Sequence, residues 1–133
     1  RGTVNRILAK TLHRMQSAYG TRGTDVIACI GPGISLDSFE VGDEVYEAFR
    51  TENFPMEYIS VWKPETHKYH IDLWAANRLQ LSDFGVPPRQ IENAGICTYR
   101  QHEDFFSARR LGIKSGRILS GIMLNGQEKG ERK

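Results

Sequence analysis

The sequence predicts an α+β protein of mixed α/β layers, and three observations carry that expectation. Apolar residues recur at spacings of three and four from Thr3 to Tyr19, the mark of one helical face. Short apolar runs of strand length stand at Asp25–Ile30, Ile91–Ile96 and Ile118–Leu124. Glycine and proline punctuate the chain between them, at Gly20, at Gly31-Pro32-Gly33, at Pro64, and at Gly85 with Pro87 and Pro88. The resulting order is helix, strand, helix, strand, helix, strand, loop, strand.

The first helix is expected over Thr3–Tyr19. Val4, Ile7, Leu8, Leu12, Met15 and Tyr19 share its apolar face, Thr3 is its N-cap and Gly20 its left-handed stop. His13 falls on the polar side. Asp25–Ile30 is nearly continuous in apolar residues, as a strand buried on both faces would be. Gly31-Pro32-Gly33-Ile34 breaks it. Such a turn lets backbone approach a ligand or is a plain turn, and it lacks the Gly-Lys-Ser/Thr of a phosphate loop. A second helix is expected over Asp43–Arg50, with Val45, Tyr46 and Phe49 inward and two acids in its first turn. Met56–Trp62 alternates as a strand does. Lys68–Phe84 is expected to be a third helix, burying Ile71, Trp74, Ala75, Arg78, Leu79 and Phe84, with Gly85 and the prolines as its stop. Ile91–Ile96 and Ile118–Leu124 are the last strands, and 125–133 is a polar tail expected to fray.

A chain of 133 residues is one domain at most, and 39% hydrophobic with 26% charged residues describes a folded protein. The net charge of +2 is spread along the chain, which argues against nucleic acid as a partner. No apolar run reaches membrane-spanning length and no targeting segment opens the chain, so a cytoplasmic protein with no membrane partner is expected. Cys29 and Cys97 lie in apolar contexts and are expected as reduced thiols. His67 and His70, with Asp72 nearby, lack a third ligand at metal-binding spacing. The chain opens at Arg1 and enters a helix at once, so a piece of a larger domain is expected.

The chemistry concentrates between Cys97 and Arg117. Phe105 and Phe106 precede Ser107, Arg109 and Arg110, and Gly112, Gly116 and Arg117 follow. Two planar guanidiniums beside a hydroxyl suit a phosphate or carboxylate, which they can grip bidentately. A solvated basic rim over two core rings is the competing reading. Arg1, at the start of a helix, adds a further cation where free amides favour an anion.

Four blocks carry a family resemblance: Arg1-Gly2-Thr3, I-G-P-G-I-S-L-D-S-F-E-V-G at Ile30–Gly42, K-Y-H-I-D-L-W-A-A-N-R-L-Q-L at Lys68–Leu81, and C-T-Y…F-F-S-A-R-R…G-R at Cys97–Arg117. Together they resemble the bacterial laccase-domain family, also called polyphenol oxidases or multicopper oxidoreductase-like proteins. Arg1-Gly2-Thr3 looks like the end of its H-A-G-W-R-G-T motif. Phe39 departs from the common Tyr, and Leu36-Asp37-Ser38 replaces a segment that often carries Cys.

The resemblance implies the C-terminal half of a laccase-domain fold, with residues 1–133 as the C-terminal portion of one domain. It implies a purine nucleoside phosphorylase acting on adenosine, inosine or methylthioadenosine with phosphate, together with adenosine deaminase activity. It implies a Zn (or Cu) ion held by two His and one Cys that all precede Arg1, so that 1–133 binds no metal alone. Arg1, Ser107, Arg109 and Arg110 are the implied phosphate- and substrate-binding residues. Two alternatives stay open: a zinc-dependent peptidoglycan-editing amidase, and a non-catalytic module that binds anions.

Overall fold

The computed structural model describes residues 1–126. Among the described residues five helices are present, α1 (Ile7–Tyr19), α2 (Asp43–Thr51), the single turn α3 (Met56–Ile59), α4 (Leu73–Phe84) and the single turn α5 (Ala108–Leu111). Five strands accompany them, β1 (Ala28–Ile30), β2 (Glu40–Val41), β3 (Ser60–Lys63), β4 (Lys68–Ile71) and β5 (Ile91–Asn93). β1 and β5 pair in parallel, while β2, β4 and β3 form an antiparallel sheet in that order. The mixed α+β class holds.

Helix α4 joins two cores. Ala76 belongs to the first with Val41, Phe49, Phe54, Met56, Ile59 and Ile71. Leu81, one turn further on, belongs to the second with Leu12, Val86 and Ile91. Between them Gln80 is only 1% exposed, and its burial is tolerable because both ends of the amide are used. Its Oε1 accepts from the Ala9 amide at 3.0 Å, and its Nε2 donates to Asn77 Oδ1 at 3.3 Å. Helix α1 is thereby tied to α4 through one of its own first-turn N–H groups.

Several boundaries differ from the sequence expectation, each for a local reason. Helix α1 starts at Ile7, not Thr3, because the chain reverses at Arg6 in the left-handed region (φ 56°) and no side chain caps it. Ile7 and Tyr19, assigned to its apolar face, are 56% and 84% exposed. Gly23–Asp25 forms a 3-10 turn, closed by reciprocal bonds between Arg22 and Asp25, so only Ala28–Ile30 is strand and Cys29 is exposed. Met56–Ile59 coils instead of extending. Pro55 fixes the entry, its carbonyl accepts from the Tyr58 and Ile59 amides, and the Ser60 hydroxyl donates to the Met56 carbonyl. Lys68–Ile71 is strand rather than helix. Asp72 interrupts the run, caps α4 by accepting from the Ala75 amide at 3.0 Å, and separates the two periodicities. Ile118–Leu124 forms no strand, since no neighbour among the described residues offers a ladder, and Leu119 is 96% exposed. The helix stops hold: Gly20 and Gly85 are both left-handed, at φ 69° and 99°. Most of the tail expected to fray lies outside the described residues.

Candidate functional site

The segment from Cys97 to Ser107 is a series of tight turns. Gln101 donates to the Cys97 carbonyl at 2.9 Å, and Asp104 and Phe105 both donate to the Gln101 carbonyl at 3.0 Å. Ser107, 5% exposed and extended, then caps α5: its Oγ accepts from the Arg110 amide at 3.3 Å. That contact leaves the hydroxyl proton free to donate elsewhere. Phe105 is half-buried, whereas Phe106 is exposed and lays its ring on Gly116, where a Cβ would meet it at 2.9 Å.

The two adjacent arginines part company. Arg109 donates from NH1 to the Glu40 carbonyl at 2.6 Å, and its guanidinium carbon lies 5.0 Å from the Phe39 ring centre. Arg110 turns back onto its own loop, 4.9 Å from the Tyr99 ring. A guanidinium has five N–H donors, so the bond to Glu40 leaves most of the Arg109 fork available. Arg117 spends its donors on the carbonyls of Ser115, Gly116 and Ile113 and closes the following loop. Arg100 pairs with Asp37 at 3.3 Å, both side chains well exposed, a contact of little energetic weight.

Arg1 reaches the same neighbourhood from the other end of the chain. The carbonyls of Arg1, Gly2 and Thr3 accept from the amides of Asn5, Ile7 and Arg6 at 3.2, 3.1 and 3.0 Å, which coils the segment into a turn. Among the described residues, the N–H groups of Gly2, Thr3 and Val4 donate to none. Arg1, Thr3 and Val4 line a cleft of about 310 Å³ against α2, whose other walls include Phe39, the acidic residue Glu44, Val45 and Phe49. Phe39 is the shared element: it walls the cleft that Arg1 lines and carries the Arg109 guanidinium. Of the four expected site residues, Arg109 packs on the Phe39 ring, Arg1 lines the cleft that Phe39 and Glu44 also line, and Ser107 and Arg110 shape the α5 turn.

A second cleft, about 400 Å³, lies between β1 and α4 and includes Ile30, Gly33, Leu73, Trp74 and Asn77. The Trp74 indole Nε1 is buried there with no hydrogen-bond partner among the described residues. A Cβ on Gly33 would stand 3.3 Å from that nitrogen, so the Gly-Pro-Gly turn is a close approach of backbone to an indole.

Cys97 sits where two loops meet. Gly33 donates to the Ile96 carbonyl and accepts from the Thr98 amide, both at 3.1 Å. The Ser35 amide donates to Cys97 Sγ at 3.4 Å, and Ser38 Oγ lies 3.6 Å from it. Burial pushes the thiol up, but the hydrogen bonds from Ser35, the Arg100 backbone and Ser38 outweigh it and bring it down to about 6. The thiol is free, as is that of Cys29. His70 is likewise engaged. Its Nδ1 lies 2.9 Å from the Leu36 carbonyl, which only accepts, so Nδ1 carries the proton. His67 rests edge-on to Trp62, with ring centres 6.1 Å apart. Among the described residues no three His, Cys, Asp or Glu gather as a metal site, so these residues by themselves do not fit the implied ion.

The family model described as "Multi-copper polyphenol oxidoreductase laccase" matches residues 1–125. The chain belongs to this family. A relative from Bacteroides thetaiotaomicron, named a purine nucleoside phosphorylase, is 65% identical over 125 residues, covering 94% of this chain and 46% of that protein. Another, named adenosine deaminase RL5, from an unknown prokaryotic organism, is 48% identical over 122 residues, covering 92% and 46%. The crystal structure of the Bacillus licheniformis hypothetical protein YfiH superposes with a TM-score of 0.73 at 30% identity, covering 82% of this chain and 41% of that one. The chain spans about half the length of the curated relatives it matches. Phe39 and Glu40, which hold Arg109, carry no sign of that contact in the sequence. A lone aromatic before a two-residue strand has no periodicity to mark it. Only its departure from the motif's usual Tyr drew attention to Phe39.

Proposed function

We propose that the complete polypeptide is a purine nucleoside phosphorylase in which residues 1–133 form the C-terminal part of a single laccase-like domain. The observation that carries this reading is that Phe39 links the two cations: it walls the cleft that Arg1 lines together with Glu44, and its ring lies 5.0 Å from the Arg109 guanidinium carbon. In phosphorolysis a phosphate oxygen bonds to the anomeric carbon as the bond from that carbon to the purine nitrogen breaks. The base leaves with the electron pair, and ribose 1-phosphate forms. The phosphate must be held in line, and charge on the ribose must be met by donors already in place. Arg1, the unpaired amides of its turn and the free N–H groups of Arg109 hold the phosphate. Ser107 caps the turn that aims Arg109, and Arg110 braces that turn on Tyr99 and completes the positive field. Adenosine, inosine and methylthioadenosine are the proposed substrates, and the cytoplasm the proposed compartment.

A second activity, adenosine deamination, is favoured by the relative named adenosine deaminase RL5. A Zn or Cu ion held by residues preceding Arg1 would supply an activated water for it. The two activities separate by their need for phosphate. Release of adenine or hypoxanthine by the complete protein is expected to rise with phosphate and to vanish without it, while deamination is indifferent to phosphate. Base release that proceeds equally without phosphate refutes the phosphorylase reading.

A further inference from the structure

We infer that Arg6 is a positioning residue that sets where Arg1 meets the phosphate, by clamping the Arg1 turn to the far wall of its cleft. This rests on the phosphate-binding reading of Arg1. The motivating observation is a conformation that an arginine has no local reason to adopt. Arg6 stands at φ 56°, ψ 41°, the left-handed region, where a Cβ crowds the following carbonyl and glycine is preferred. A side chain kept at such a point is used by the surrounding structure.

Its use is visible. The Arg6 Nε and NH2 both donate to the Glu52 carbonyl, at 3.1 and 2.9 Å, and the guanidinium carbon lies 4.1 Å from the Phe54 ring centre. Glu52 caps the C-terminus of α2, where the carbonyls carry the negative end of the helix dipole and favour a cation. Phe54 is 4% exposed, so the ring beneath the guanidinium is itself fixed. Helix α2 also supplies Glu44, Val45, Ala48 and Phe49 to the cleft that Arg1 lines. Among the described residues, the two bonds to Glu52 are the only hydrogen bonds between residues 1–6 and α2 with its cap. The backbone of the same turn carries the constraint to Arg1, through the bonds from Asn5 to Arg1, from Ile7 to Gly2 and from Arg6 to Thr3.

The test uses the complete protein and three variants. Arg6→Gly removes the fork while relieving the strained φ, so a folding failure is not its natural outcome. Arg6→Lys keeps the charge and loses the paired donors. Arg1→Ala reports on the underlying site. The KM for phosphate is expected to rise about tenfold in Arg6→Gly and by an intermediate factor in Arg6→Lys, with kcat at saturating phosphate and the nucleoside KM within about twofold of the parent. Amide hydrogen exchange at Asn5 and Ile7 is expected to accelerate in Arg6→Gly. An unchanged phosphate KM in Arg6→Gly, beside a raised one in Arg1→Ala, overturns the positioning role alone. An unchanged phosphate KM in Arg1→Ala overturns the anion site and this inference with it. A lower melting temperature with unaltered kinetics reduces Arg6 to a structural clamp.

Discussion

Arg109→Lys and Arg110→Lys form the sharpest pair of perturbations, because the structure gives two neighbouring cations different work. Arg109→Lys keeps the charge and loses the plane. The planar group now makes a charge-assisted bond to the Glu40 carbonyl at 2.6 Å and stacks 5.0 Å from Phe39 while presenting its remaining donors. A hydrogen bond to a charged group contributes about 1.5–3 kcal/mol net, and an exposed cation–π contact about 0.5–1 kcal/mol. Lysine can satisfy one of these at a time, and Arg109 is exposed, so the lower ends apply. The expected loss of transition-state stabilisation is at most about 1.5 kcal/mol, roughly a tenfold fall in kcat/KM for phosphate. Arg110 has only its contact with Tyr99 at 4.9 Å, so Arg110→Lys is expected to cost less than about 1 kcal/mol, under fivefold. Initial rates of purine release across a range of phosphate concentrations, with thermal melts of both variants, measure the difference. A larger kinetic loss in Arg110→Lys refutes the assignment. Lowered melting points with unchanged phosphate kinetics in both variants would remove the anion from this loop altogether.

Three other outcomes are expected. Gly23→Ala drives a Cβ to 2.3 Å from the Gly85 carbonyl carbon, backbone against backbone, and should lower stability by about 3 kcal/mol in urea unfolding; an unmoved midpoint would contradict this packing. Ser107→Ala removes the α5 cap and should cost about 1 kcal/mol in the same assay, while Ser107→Asn retains most of it; equal losses in both would deny the capping role. The Cys97 thiol, lowered to about 6, should show a thiolate absorbance midpoint near that value in a Cys29→Ser background. A depressed folded value stabilises at high pH, so the stability gap between the parent and Cys97→Ala should widen from pH 6 to pH 9. A gap that narrows over that window would mean the thiol is not held as the anion.

The class of the fold was legible because α1, α2 and α4 carry apolar residues at helical spacing, and α1 and α4 are ended by glycines that the sequence states plainly. Gly20 and Gly85 are left-handed as their positions require. What escaped was decided across the chain rather than along it. Arg6 reverses the backbone before α1, and nothing in R-G-T-V-N-R announces a partner at Glu52. Met56–Ile59 alternates like a strand, yet Pro55 and the Ser60 hydroxyl make one helical turn of it. Ile118–Leu124 is apolar enough for a strand, but pattern cannot supply the neighbour that a ladder needs. Within the site, the F-F-S-A-R-R signature located the cations. The division of labour between Arg109 and Arg110 depends on Phe39, Glu40 and Tyr99, which share no pattern with them.

The parallel pair of β1 and β5 bears on how this polypeptide behaves in a test tube. Parallel ladders are ordinarily found deep inside proteins with both faces covered, and two strands alone make a weak sheet. Here Cys29 on β1 is exposed, Ile27 just before it is 65% exposed, and Leu119, Ile122, Met123 and Leu124 stand 72–96% exposed on a segment that brushes Gly31. Unpaired backbone beside so much uncovered hydrocarbon is a template for association with other strands, including those of identical molecules. Residues 1–133 expressed alone should therefore become turbid as concentration rises, and light scattering should report it before any loss of helical circular dichroism. Colloidal behaviour, more than intrinsic fold, would then govern which variants can be studied in that form.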